Sequence, residues 1–94
     1  MATHGQSDQR SFVAVVEGLR LHRNSLGRPW AEFVLTSHHG SVAAICFPSV
    51  FGKVAHRIDE GGLVAVSGRM ASEPEPRLVV HLATVFEPSR KDSP

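Results

Sequence analysis

The sequence is poor in the residues that announce chemistry. It has one cysteine, Cys46, so no disulfide can form within the chain, and a reducing compartment, the cytoplasm, is expected. Charge is nearly balanced, with 10 Lys and Arg against 9 Asp and Glu, a net charge of +1, so bulk charge does not announce a nucleic-acid partner. No apolar run approaches the ~18 residues of a membrane helix. The opening "MATHGQSDQR" has no apolar signal core, so neither a membrane nor a secretory signal is expected. A glycine-rich phosphate loop, a nucleophile elbow and a framed pair of carboxylates are all missing, and an enzyme is not expected. The 6 histidines show no metal-binding spacing, and His38 and His39 point to opposite sides of an extended chain. No metal and no cofactor are expected.

What is there suits one small globular domain: 94 residues, 41% hydrophobic and 20% charged. The expected domain spans residues 11–87, with flexible polar tails at 1–10 and 88–94. The stretch "SFVAVVEGLRL" reads as a strand of roughly ten residues, with Phe12, Ala14 and Val16 on one side and Val13, Val15 and Glu17 on the other. "HRNSLGRP" reads as a loop. "WAEFVLTS" alternates, with Ala31, Phe33 and Leu35 inward and Trp30, Glu32, Val34 and Thr36 outward, because an unpaired Glu32 carboxylate is expensive to bury. "HHG" is a tight turn and "SVAAICF" a third strand, in which Ala43 and Ala44 suggest crowding on both faces. "SVFGKVAHRIDEGG" reads as a short helix with Ser49 as N-cap, Val50, Val54 and Ile58 as its stripe, and Gly61-Gly62 as its stop. "LVAVSGRMA" is a strand in which Gly68 marks a bend or bulge. "SEPEP" turns into the last strand, "RLVVHLATVFE".

Three strands, a helix and two strands in under a hundred residues give an all-β class: a five-stranded Greek-key OB-fold barrel with one short helix between strands three and four. The run "VAVVEGLR…GRPWAEFVLTSHHGSVAAICFPSVF…EGGLVAVSGRM…EPRLVV" resembles the OB-fold domain near the C-terminus of the bacterial DNA polymerase III alpha subunit. More distantly it resembles the anticodon-binding domains of class II aminoacyl-tRNA synthetases. The likeness covers residues 12–86 and is carried by "GRP", by Leu35 before the Gly40 turn, by Phe47-Pro48 and by "VSGRM".

The resemblance implies non-catalytic binding of single-stranded nucleic acid, DNA ahead of RNA, in a replication, repair or recombination accessory role. Carried over, the binding face holds Val13, Val15, Glu17, Trp30, Glu32 and Val34; the first loop offers Arg20, His22, Arg23 and Arg28; and Arg69 and Arg77 edge the loop before the last strand. Three positions depart from the pattern. Ala14 replaces a glycine, Ser37 replaces an acid, and Glu32 replaces the aromatic that stacks on a base in the tRNA-binding relatives, leaving Trp30 to stack. The competing reading is a protein-interaction module using the same face, which is rather apolar at Val13, Val15, Trp30 and Val34. Its partner is a replication or repair protein, or a second copy joined in a homodimer through an open sheet edge.

Overall fold

Alternation decides which side of each strand is buried, and the computed structural model, which describes residues 9–72 and 75–86, follows it closely. The expected tails at 1–8 and 88–94, Glu87, and Glu73-Pro74 of the turn lie outside the described residues. Five strands form a closed barrel in the order β1-β2-β3-β5-β4. They are β1 Gln9–Arg23, β2 Pro29–Ser37, β3 Gly40–Cys46, β4 Leu63–Ala71 and β5 Arg77–Val85, with α1 Pro48–Val54 between β3 and β4. β1 pairs with β4 through its first half and with β2 through its second, while β3 and β5 close the barrel by a short parallel contact, Ala44 opposite Leu78 and Ile45 opposite Val79. This is the OB fold.

The inward residues are those the alternation assigns, except in β5, where the register shift against β4 turns Ala83 inward and Leu82 outward. Ala14, Val16, Ala31, Phe33, Leu35, Val64, Val66, Leu78, Val80 and Ala83 form one core, which Phe51, Val54 and Ile58 join from the helical segment. Burying apolar surface of this kind contributes about 25 cal/mol per Å². Gly68 sits in this wall at a shift of register between β4 and β5. A Cβ there would collide with the Val79 carbonyl oxygen and lie 3.0 Å from its carbon, so the strands approach this closely only because the side chain is missing.

Several local expectations need correction. β1 begins at Gln9 rather than within a tail and runs to Arg23, so Arg20, His22 and Arg23 belong to a strand and not to a loop. α1 ends at Val54 and continues as one 3₁₀ turn, Ala55–Arg57; Phe47 occupies the N-cap position, Pro48 begins the helix, and Ser49 does not cap it. Proline there lacks only an N–H that had no helical partner. The stop comes before Gly61-Gly62, so Asp59 and Glu60 lie in a turn instead of a helix end. Ala43 is exposed, so β3 is not crowded on its outer side at that position, although Ile45 on the same side is buried. His38 and His39 sit in a turn, where strand alternation does not apply, and their rings lie 4.0 Å apart.

The turn after the helix has a structural task. β1 carries a bulge between Glu17 and Arg20, with Gly18 at φ 62°, a conformation that glycine adopts without strain. The backbone N–H groups of Gly18 and Leu19, freed from the ladder, donate to the Glu60 carboxylate at 3.0 and 2.7 Å. The turn is tied to β1 a second time, by Gly61 N–H to Val16 C=O at 2.7 Å and Val16 N–H to Gly62 C=O at 2.9 Å. The bulge reverses the side-chain parity of β1. Glu17 pairs with Val34, but Arg20 rather than Leu19 comes next, opposite Glu32. Arg20 and His22 are thereby placed on the outer face.

Candidate nucleic-acid interface

That outer face is built from cross-strand pairs of β1 and β2. His22 lies opposite Trp30, Arg20 opposite Glu32, Glu17 opposite Val34 and Val15 opposite Thr36. Directly opposed side chains stand about 4.5–5.5 Å apart, close enough to interact. The His22 and Trp30 rings stack, with centroids 4.4 Å apart and planes 27° from parallel. Beside them Glu32 accepts from His22 Nε2 at 3.0 Å and forms an ion pair with Arg20 at 3.4 Å. At the far end Thr36 donates to Glu17 at 3.0 Å and meets Ser41 at 3.1 Å.

The loop from β1 to β2 is shorter than expected and is organised by Asn24. Its side-chain oxygen accepts from the N–H groups of Leu26 and Arg28, both at 2.9 Å, and its backbone pairs with Gly27 and Arg28. Arg23 donates to the Gly27 carbonyl at 2.7 Å and so braces the loop. Arg28 remains an exposed cation at the loop's exit.

Arg20, Glu32 and Val34 line a cleft of about 230 Å³ together with Gly18, Ala43, Glu75 and Pro76 of the β4–β5 connection and Arg77 at the start of β5. The structure thus brings together Arg20, Glu32, Val34 and Arg77, with the His22–Trp30 stack one registered pair away. Arg69 is not among them. It points outward from β4, opposite Gln9 of β1 and Val79 of β5. Val13, too, lies on the β1–β4 part of the wall, opposite Ala65. A larger hollow of about 570 Å³ opens by the β2–β3 turn, lined by Phe12, Val13, Leu35, Val42, His38 and His39 among others, and it carries none of the expected phosphate or stacking residues.

The cleft's chemistry is mixed: two guanidinium groups, two carboxylates and an aliphatic floor. Arginine holds phosphate bidentately or lies flat on a base, and a π-stack at the cleft's edge offers a surface to a nucleobase. Phe47 is a further aromatic near this face that strand alternation does not point to. It is 44% exposed and follows the last registered pair of β2 and β3, Ala31 opposite Cys46, so it leaves the sheet at the end where Trp30 stands. Its only signal in the sequence was an aromatic placed just before the helix-starting proline. Glu75 and Pro76 were legible only as turn residues.

No family model and no curated protein matches the chain. Solved structures do. PriB from Ralstonia solanacearum superimposes with a TM-score of 0.68 at 14% identity, covering 85% of this chain and 98% of its own. The mitochondrial single-stranded DNA-binding protein Rim1 from S. cerevisiae superimposes with a TM-score of 0.68 at 13% identity, covering 85% of this chain and 94% of its own. At such identities the likeness is one of fold, and it places the chain among OB-fold barrels that match it over nearly their whole length.

Proposed function

We infer that this protein binds single-stranded nucleic acid without catalysis, DNA ahead of RNA. The observation that carries the reading is the outer face of β1 and β2, where a His22–Trp30 stack adjoins a cleft holding Arg20 and Arg77. The fold is shared with Rim1, a single-stranded DNA-binding protein, which supports the preference for DNA. In this reading Trp30 and His22 stack on a base, Arg20, Arg28 and Arg77 hold phosphates, and the barrel keeps the face rigid. A replication, repair or recombination accessory role in a reducing compartment such as the cytoplasm fits the resemblance to the polymerase III alpha OB domain.

The test is a titration of labelled single-stranded DNA and RNA oligonucleotides at low and moderate salt, following the single tryptophan. Quenching is expected, with an affinity that falls with salt at a log–log slope of about −2 for three phosphate contacts. Trp30→Ala should weaken binding by roughly 1–3 kcal/mol while leaving the fold intact. Absence of binding at low salt overturns the proposal.

Protein association is the second reading, and exposed apolar side chains support it on a face other than the Trp30 face. Val13, Leu82 and Phe86 are exposed large hydrophobics on the β1–β4–β5 side of the barrel, away from the Arg20–Glu32 pair. A homodimer through that side predicts a concentration-dependent mass in sedimentation, abolished by Leu82→Lys.

A further inference from the structure

We propose that the Arg20–Glu32 pair reads the edge of a bound base and selects bases whose exocyclic amino group lies beside a ring-nitrogen acceptor, cytosine above all, over uracil and thymine. The inference rests on the reading that this face takes a single strand. It starts from an anomaly: a carboxylate repels phosphate, yet Glu32 stands in the middle of the face, with its side chain 30% exposed and lining the cleft.

The geometry gives the carboxylate an unfilled acceptor. His22 Nε2 and Arg20 Nη2 both approach the same oxygen, Oε1, at 3.0 and 3.4 Å. Among the described residues Oε2 has no partner and no buried side-chain oxygen lacks one, so Oε2 is open to solvent. The Arg20 side chain is 71% exposed, so its remaining donors are also accessible. Acceptor and donor therefore stand side by side at one end of the cleft. The stacked rings lie one outward pair further along the strands, about 7 Å at the usual rise of a strand. A base laid on the rings has its hydrogen-bonding edge within that reach, and a cleft of about 230 Å³ has room for one base.

The donor–acceptor order of the pair matches cytosine. Its N4 amino group donates to Oε2, while N3 and O2 accept from one side of the Arg20 guanidinium, whose five N–H donors leave others for a phosphate. Acidic side chains accept from cytosine N4 in duplex recognition as well, there from the groove edge of the base. Uracil places a carbonyl where the amino group was, setting oxygen against oxygen, and its N3–H faces the guanidinium donors. Adenine keeps the order through N6 and N1. The pyrimidines give the cleaner comparison because uracil differs from cytosine only at these two groups.

Ten-nucleotide deoxycytidine and deoxyuridine oligomers are titrated at pH 8 and low salt, following Trp30 fluorescence. The wild-type protein is expected to bind the cytosine oligomer at least about 5-fold more tightly. An oligomer of N4,N4-dimethylcytosine, which keeps the ring and loses both donors, should bind like uracil. Glu32→Gln presents an amide that can turn either way, so the preference should shrink to within about 2-fold while uracil binding persists. Equal wild-type affinity for cytosine and uracil, or an undiminished preference in folded Glu32→Gln, overturns the inference and leaves single-strand binding standing. Failure of every oligomer to bind at low salt overturns both.

Discussion

Cys46 gives the barrel a stability that depends on alkaline pH. Its side chain is fully buried, 0% exposed, opposite Ala31 in the β2–β3 ladder. Burial pushes its thiol up from 9.0 to about 12, because a thiolate in an apolar core loses its hydration. The folded state therefore keeps a proton that the unfolded chain releases above pH 9.0, and stability must fall as pH rises from there toward about 12. For one group with these two values the loss is about 1.4 kcal/mol at pH 10 and about 2.7 kcal/mol at pH 11. That is a large share of the 5–15 kcal/mol typical of a domain. The chain has no tyrosine, so little else in the core titrates in this window. Urea unfolding of wild type and Cys46→Ala at pH 8, 10 and 11 measures the effect. The variant starts lower because of its cavity, but its stability should decline less, so that the two proteins converge as pH rises. Parallel decline would refute the assignment of the alkaline loss to a buried thiol.

Two further perturbations test how the fold carries the face. Glu60→Ala removes the acceptor of the Gly18 and Leu19 N–H groups; being solvent-exposed, the pair should be worth about 1–2 kcal/mol. A lowered melting temperature is expected, and weaker oligonucleotide binding with it, because the bulge sets the direction of Arg20 and His22. Unchanged binding in a destabilised Glu60→Ala would separate the bulge from the site. Gly68→Ala drives a methyl group into the Val79 carbonyl. Overpacking of this kind typically costs 1–3 kcal/mol, read as a fall of roughly 5–20 °C in circular-dichroism melts; a melting temperature within 2 °C of wild type, about the resolution of the comparison, would show that β5 yields without strain.

The barrel was legible because its evidence is local. Strand alternation at Ala31, Phe33 and Leu35, the glycine at Gly68 and the helix-starting Pro48 each act through sterics or burial within a few residues, and the order of elements followed from them. Trp30 and Glu32 were assigned to the outer side by the same alternation. The tertiary structure alone decided what meets them. Arg20 and His22 reach that face through a bulge held by Glu60, a residue more than forty positions away in sequence, and no periodicity within β1 announces it. Arg77 joins the cleft and Arg69 does not, because barrel closure brings the start of β5 to β3 and leaves Arg69 between β1 and β5. Hydrophobic alternation fixes the side of a strand on which a residue lies, since that depends on the backbone pleat. Which charged side chains share a cleft depends on register and closure, and those are set by contacts between residues far apart in the chain.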